Sequence, residues 1–365
     1  MKYKQVILFI VSLLITYGSI FCQTFSESRK IIRTFKVLTG VNVDITNKYG
    51  KILMNTWDND SVRIEISLSV KSGSESRLEK ILSSIDFDFT VNESYIIVKT
   101  TYSSSFANIL SEIINLAEPL TIGDNDVDIN YSVLIPENTN VAIDNKYGDV
   151  ILNNLASELK IVILNGDVKA NNLSGPVDIS LKFGNGYINS IDSGRLDISY
   201  STFDLKQSNF LSVESKSSKI NIDGCNDLKI NSKRDKYFIS EVNYIRGETS
   251  FSDLVVENLY HNLNFKMSYG NLNVDYIPKT FSIINVSSQY TNLNFIFEKN
   301  SSYNADITYI DVKMDCTKEF LKLQEQLIDQ EQKKFTRFGL VGREKTEARL
   351  NIYAEHSTIN VTEKH

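Results

Sequence analysis

The chain has 365 residues, of which 42% are hydrophobic and only four are prolines, a composition that supports a folded core rather than disorder. Its formal net charge is −6 at pH 7, with acidic and basic residues interspersed along the sequence. This balance argues against a nucleic-acid partner and against binding to an anionic membrane surface.

Residues 1–22 show the three-part pattern of a secretory signal peptide. Lys2 and Lys4 precede an apolar run from Val6 to Ile15, and Tyr17-Gly18-Ser19 follows it. The run is too short to favour a permanent span, and no later stretch reaches the roughly 18 apolar residues of a membrane helix. We therefore expect an exported protein, located in the periplasm, at the outer surface or secreted, with no integral membrane span in the mature chain.

Cysteine usage gives two further expectations. Phe21 stands where a lipobox has a small residue before Cys22, which favours cleavage before Gln23 over lipidation. Only Cys225 and Cys316 remain after the signal, so the sequence has no disulfide framework. Cys225 falls in an apolar column of the repeat described below, and we expect it to be a buried, inert thiol.

Residues 23–135 contain one copy of a repeat unit and then depart from it. Apolar residues alternate on both sides of the phrase Asn47-Lys48-Tyr49-Gly50, and Val62 to Val70 then alternate as one long strand. Helical spacing follows at 78–85 and 106–117, with strands near 86–101 and 126–135. We expect a small α+β cap over the open end of the repeats, because an exposed terminal repeat leaves an unpaired strand edge.

Residues 136–317 carry the repeat itself. The phrase returns as Asn145-Lys146-Tyr147-Gly148, and diverged copies follow at intervals of about 17 to 21 residues. We call the residue in the tyrosine slot the marker. The markers are Tyr147, Asn165, Phe183, Tyr200, Ser217, Arg234, Phe251, Tyr269, Tyr290 and Tyr309. A short period sustained over this length predicts an all-β, parallel β-solenoid with coils of 17–18 residues.

Apolar residues keep a fixed phase to the marker. They recur four residues before it and three, five and eight residues after it, which places them on the inward faces of two short strands. The position five residues after the marker holds Leu152, Ala170, Ile188, Leu205, Ile222, Ile239, Val256, Val274 and Phe295. Stacked coils would join these positions into a continuous interior.

Polar residues and glycines mark the turns. The position six residues after the marker holds Asn153, Asn171, Asn189, Asp223 and Asp275, which tolerate turn geometry and can hydrogen-bond from coil to coil. Glycine follows the marker directly at positions 148, 166, 184 and 270, where we expect a bend or a positive φ.

The C-terminal part interrupts the repeat and then resumes it. Residues 318–347 form a predicted helical and loop insertion, with a charged helix over 319–328. Residues 348–365 restore the apolar phases around His356, which stands in the marker slot. We expect this segment to form the last coil.

Three motifs together resemble a family of exported bacterial proteins. They are the repeated Asn-Lys-Tyr-Gly phrase, Thr56-Trp57-Asp58, and Phe338-Gly339-Leu340-Val341-Gly342 before the final coil. The family is named putative adhesins, is related to autotransporter-adhesin-head-like repeats, and includes many proteins of unknown function. The resemblance implies a β-solenoid and a cell-envelope location, and it supplies no catalytic residues to transfer.

The outward columns show no concentrated acid–base apparatus. Two residues after the marker, the sequence mixes acidic, basic and neutral side chains, and Asp149 and Asp167 are expected on adjacent coils as solvated carboxylates. His261, His356 and His365 lack metal-site spacing. The segment Asp124 to Asp128 begins like a calcium loop, but Ile129 and Ile135 stand where the loop needs glycine and an acid.

We therefore predict no catalytic, cofactor-binding or metal-binding residues and no cofactor. Ser217 and Ser218 belong to a polar turn without a nearby histidine, and no phosphate-binding glycine loop is present. The leading hypothesis is a noncatalytic cell-envelope adhesin or extended interaction scaffold, with an unknown surface, glycan or protein ligand. The alternatives are a β-helical carbohydrate-active enzyme and a regulatory or structural accessory protein of the envelope.

Overall fold

The computed structural model describes residues 24–104, 106 and 127–364. These residues form an all-β protein built on a long, mostly parallel sheet. The predicted signal segment, residues 1–22, lies outside the described residues, as does most of the predicted helix at 106–117. Phe106 is described, and its ring packs beside those of Tyr49 and Tyr102.

The first part of the chain mixes parallel and antiparallel strands. Its elements are β1 (Phe25–Lys36), β2 (Asn42–Lys48), β3 (Ile52–Trp57), β4 (Ser61–Ser72), α1 (Glu75–Ser83), β5 (Ile85–Val91), β6 (Tyr95–Tyr102) and β7 (Val127–Pro136). Strands β2 and β3 pair in parallel with β6 and β7 on one side. Strands β1, β4 and β5 pair antiparallel and lie outside them. The predicted long strand and the helix near 78–85 are thus confirmed.

The middle of the chain is a series of parallel strands. They are β8 (Asn140–Lys146), β9 (Val150–Leu152), β10 (Leu159–Leu164), β11 (Val168–Lys182), β12 (Asn185–Ser199), β13 (Thr202–Lys216), β14 (Lys219–Lys233), β15 (Lys236–Ile277) and β16 (Ile283–Phe297). Strands β8 and β9 also pair with β2 and β3, which joins the first part of the chain to this series.

Pairing repeats with the period of the sequence. Asn185 lies opposite Thr202, and Thr202 opposite Lys219, so residues 17 positions apart are neighbours in adjacent strands. We call one such unit a layer: a strand segment, a corner at the marker and a second strand segment. Each added layer extends the sheet by one strand spacing of about 4.8 Å.

The predicted inward columns form the core. Val256, Leu254 and Leu259 are fully buried, and the alternation of buried and exposed positions persists through β11 to β16. Burial of this apolar surface is the main favourable term for folding, at about 25 cal/mol per Å². The predicted phases four before and three, five and eight after the marker are therefore confirmed as core positions.

The C-terminal part differs from its prediction in two ways. Its elements are β17 (Tyr303–Ile310), β18 (Lys313–Cys316), α2 (Lys318–Leu321), β19 (Gln324–Asp329), β20 (Lys334–Val341), β21 (Arg349–Glu355) and β22 (Thr358–Glu363). The helix expected over 319–328 is wrong beyond Leu321. The sequence from Gln324 instead forms a hairpin whose strand β20 pairs antiparallel with β17. Pairing with an available strand edge outweighs the weak helix propensity of this segment.

Stacking order is the second difference. Residues 349–363 resume the repeat as predicted, but they are not the last layer in space. Strand β21 lies between β16 and β17, and β22 lies between β16 and β18, all in parallel. The layer that comes last in sequence is therefore an internal layer.

Candidate functional site

Each layer turns at a residue with positive φ, and this residue is the predicted marker in all but one case. Positive φ values occur at Tyr49, Tyr147, Asn165, Phe183, Tyr200, Ser217, Arg234, Phe251, Tyr269, Tyr290, Asp311 and His356. The exception is Tyr309, which lies within β17, while Asp311 occupies the corner. Left-handed backbone costs about 1–2 kcal/mol for a residue with a side chain, so the surrounding structure must hold it.

The asparagine of the repeated phrase holds the first corners. Asn145 is fully buried, and its Nδ2 donates to the carbonyl oxygens of Gly148 at 2.8 Å and Gly50 at 3.0 Å. Asn47 donates to the carbonyl of Ile129 at 3.0 Å and accepts from the Thr100 hydroxyl. These bonds satisfy the carbonyls of the turn, which explains why the phrase needs asparagine two residues before the marker.

Glycine is required after the marker because the backbones of adjacent layers approach closely there, not because the position has a positive φ. A Cβ at Gly148 would lie 2.0 Å from the carbonyl oxygen of Gly50, and a Cβ at Gly166 would lie 2.1 Å from that of Gly148. Neither residue has a positive φ. The expected bend is found at Gly148, Gly166 and Gly184. The positive φ lies instead at the preceding residue, the marker itself.

Later layers use hydroxyls at the same position. The Ser201 Oγ accepts from the backbone N–H of Gly184, and the Ser218 Oγ accepts from that of Ser201. In the next layer Asp235 is buried, and its carboxylate accepts from the Ser215 and Ser232 hydroxyls and from the backbone of Ser218 and Lys233. The carboxylate thus accepts four hydrogen bonds from the protein itself, so its role is structural.

The aromatic markers form an exposed line along the corners, which we call the aromatic column. Its rings are between 42% and 53% exposed at Tyr147, Phe183, Tyr200, Phe251, Tyr269 and Tyr290. Adjacent rings stack, with centroid distances of 4.8 Å for Phe251–Tyr269 and 5.0 Å for Tyr269–Tyr290. His356 continues the stack beyond Tyr290 at 5.0 Å. The column is thus both packed within itself and presented to solvent.

The aromatic column is broken where the marker is not aromatic. Asn165 interrupts it once, and Ser217 and Arg234 interrupt it over two successive layers. Around the second break lie Lys216, Lys219, Lys233 and Lys236, all exposed. This basic cluster was not predicted, although the sequence holds six cations within the 21 residues from Lys216 to Lys236.

Other outward positions form hydrogen-bonded ladders. Asn189 donates to Asn171, and Asn171 donates to Asn153, at 3.2 and 3.5 Å, which confirms the expected bonding between corners of adjacent layers. Asp149 and Asp167 do lie in adjacent layers, and the Asp149 carboxylate accepts the backbone N–H of Asp167 at 2.9 Å. These groups bind the structure's own backbone, which leaves them poorly placed for acid–base work.

The cysteine and histidine side chains lie apart from one another. Cys225 is buried as predicted, and burial raises the pKa of its thiol to about 12. Cys316 is half-buried, and burial raises its pKa to about 11. His261 stacks on Tyr244, while His356 contacts the Asp311 carboxylate at 3.0 Å. His365 and residues 124–126 of the acidic segment lie outside the described residues.

No three His, Cys, Asp or Glu side chains within 24–104, 106 and 127–364 are grouped so as to hold a metal ion. Over the same residues, no helix combines the length and the apolar character needed to cross a membrane.

Comparison with known proteins gives only distant likenesses. No family model and no curated protein matches the chain. One similar solved structure is a "putative cell adhesion protein" from Clostridium sporogenes, with 11% identity, a TM-score of 0.21, and coverage of 93% of this chain and all of the other. "Putative adhesins" from Parabacteroides distasonis and Bacteroides fragilis have 10% and 9% identity and TM-scores of 0.28 and 0.23. The match to the Parabacteroides protein covers 73% of this chain and 92% of that protein. The match to the Bacteroides protein covers 92% of this chain and 97% of that protein.

Proposed function

We propose that this protein is a noncatalytic, exported interaction scaffold with an adhesin-like role. In this proposal the layers wind as a β-solenoid, residues 23–135 cap one end, and the outer surface binds a partner on a cell, a glycan or another protein. The aromatic column is the observation that carries the proposal.

Single apolar residues on a surface need no explanation. The stacked rings of Phe251, Tyr269 and Tyr290 instead form a contiguous exposed patch, as interaction sites do. Aromatic side chains are also enriched in the energetically important parts of interfaces, because they bury large rigid surfaces. A line of rings repeated layer by layer suits an extended partner, since each layer adds contact area without changing the core.

The test is binding of the purified protein to an array of glycans and matrix proteins. The test variant carries Phe251→Asn, Tyr269→Asn and Tyr290→Asn. Asparagine is chosen because Asn165 already occupies a corner of this protein with positive φ. The control is Phe210→Asn, which removes a ring that is 54% exposed but lies away from the aromatic column.

We expect selective binding that is lost in the triple variant and kept in the control. Both variants must show the wild-type circular dichroism spectrum. The absence of any ligand for the folded wild type, or equal binding by the triple variant and the control, would contradict the proposal.

A further inference from the structure

At the second break of the aromatic column, two rings lack an aromatic neighbour on one side. Phe183 and Tyr200 stack at 5.1 Å, and Phe251 and Tyr269 stack at 4.8 Å, but the two layers between these pairs carry Ser217 and Arg234. With strands about 4.8 Å apart, Tyr200 and Phe251 are separated by about 14 Å. The face of each ring that points into the break has no aromatic neighbour in the column.

Like charges are aligned across this break. Lys216 lies directly opposite Lys233 in the strand pairing, and Lys219 lies directly opposite Lys236. Like charges opposite one another on adjacent strands are destabilising. The register therefore concentrates positive charge at this break, and an anionic ligand would offset the repulsion between these cations.

The nearby carboxylates do not pair with these cations. Asp235 is buried and hydrogen-bonded within the protein. Glu214 pairs with Arg195, Glu248 pairs with Lys266, and Asp253 accepts from Asn271. Among the described residues, none of Lys216, Lys219, Lys233, Arg234 and Lys236 forms an ion pair. The ammonium of Lys216 instead lies 5.7 Å from the ring centroid of Tyr200.

A shallow groove of about 650 Å³ runs along these side chains, and Tyr200, Ser217, Lys219, Arg234 and Lys236 line it. We propose that this groove binds a segment of a carboxylated glycan. A sugar ring that displaces the Lys216 ammonium lies against Tyr200, since the electron-rich face of an aromatic ring attracts the polarised C–H groups of a sugar. Arg234 offers a planar fork that matches a carboxylate, and Lys219 and Lys236 bind further carboxylates along the chain.

A carboxylated glycan fits this protein better than a nucleic acid does. The whole chain has a formal charge of −6, which repels double-stranded DNA, with one charge per about 1.7 Å, more strongly than a polyanion of lower charge density. A polyuronate has one charge per sugar, and a few local cations suffice to hold it. The inference rests on the proposed function, because it names the ligand class of that scaffold.

The test measures binding of tetragalacturonate by isothermal titration calorimetry at low and at physiological salt. Maltotetraose serves as the neutral oligosaccharide, and an oligothymidylate of equal charge serves as the nucleic-acid probe. The groove variants are Arg234→Gln and the double variant Lys219→Gln with Lys236→Gln. The matched control is Lys229→Gln, which removes an exposed cation of the same layer outside the groove.

We expect tetragalacturonate to bind, maltotetraose not to bind, and each groove variant to weaken the affinity about tenfold. The control should bind as the wild type does. The double variant should also melt at the same or a higher temperature, because it removes the aligned like charges.

Any of three results would overturn the proposal that this groove binds a carboxylated glycan. Maltotetraose could bind as tightly as tetragalacturonate, the oligothymidylate could bind as tightly or more tightly, or Arg234→Gln could keep the wild-type affinity. In the array experiment, the triple variant of the aromatic column could lose binding while the groove variants still bind the array ligand. That result would support the proposed function and reject this site. A folded protein without any array ligand would reject the proposed function itself.

Discussion

At the corner of each early layer, glycine allows two backbones to approach closely. Gly50, Gly148, Gly166 and Gly184 follow one another along the layers, and each carbonyl oxygen lies where the next residue's Cβ would stand. The marker beside it carries the left-handed backbone instead. The two requirements of the corner, close approach and positive φ, are therefore met by two adjacent residues.

We predict that Gly166→Ala destabilises the protein by about 2 kcal/mol or more, because the new Cβ would overlap the carbonyl oxygen of Gly148. The matched control is Gly73→Ala, since Gly73 has no heavy atom within 4 Å of an added Cβ and lacks a positive φ. The control should be neutral or more stable by up to about 1 kcal/mol. Urea denaturation midpoints measure both changes, and equal midpoints would refute the close-approach explanation.

Cys225 should be unreactive in the folded protein. Its thiol pKa of about 12 leaves almost no thiolate at pH 8, and the residue is buried. We expect iodoacetamide to label Cys225 only after denaturation, as measured by mass spectrometry of its peptide. Rapid labelling in the native state would contradict this prediction.

The same burial predicts a pH dependence of stability. An unfolded thiol titrates near pH 8.5, well below the pKa of about 12 that burial gives the folded thiol. Above pH 9 the unfolded chain therefore loses a proton that the native state keeps, and the free energy of unfolding falls as pH rises. Cys225→Ala should reduce the decline between pH 9 and 10.5, measured by urea titrations; an unchanged slope would count against this explanation.

At the scale of the strands, alternation along β15 separates two neighbouring valines. Val256 is fully buried, whereas Val255 is half-buried on the outward face. We predict that Val256→Asp destabilises the protein by several kcal/mol, since it buries an unpaired charge. Val255→Asp should cost no more than about 1 kcal/mol. Thermal melts compare the two, and equal losses would contradict the observed register.

The inward-facing positions of the strands were predictable from the sequence. Apolar residues alternate with a period of two, and their distance in sequence from the marker stays constant through many layers. Tyr309 was misplaced because the turn at 298–302 lengthens its layer, so that Asp311 reaches the corner. The segment 319–328 was misread because its leucines have helical spacing, while pairing with β20 is set by a distant strand edge. The exposure of the aromatic column depends on packing in three dimensions, which residue type alone does not reveal. The alignment of the lysines follows from the repeat, because Lys216 and Lys233, like Lys219 and Lys236, are 17 residues apart.

At the scale of the whole molecule, β21 and β22 connect the C-terminal strands to the long sheet. Among the strands that the structure describes, β17 and β18 pair with the long sheet only through these two. Deleting residues 347–365 should therefore remove hydrogen-exchange protection from 303–341, while 159–233 stays protected. Hydrogen exchange with mass spectrometry measures both regions, and retained protection at 303–316 would contradict the stacking order.

The insertion of β21 and β22 also has a kinetic consequence. Most layers find their neighbour 17 or 18 residues away, so order can spread along the chain by closing short loops. At β16 the next partner is 66 residues away, and the loop-closure cost is higher by about 1 kcal/mol. Assembly should pause there with the edge of β16 open, and this interval is when the protein is most prone to pair with another chain.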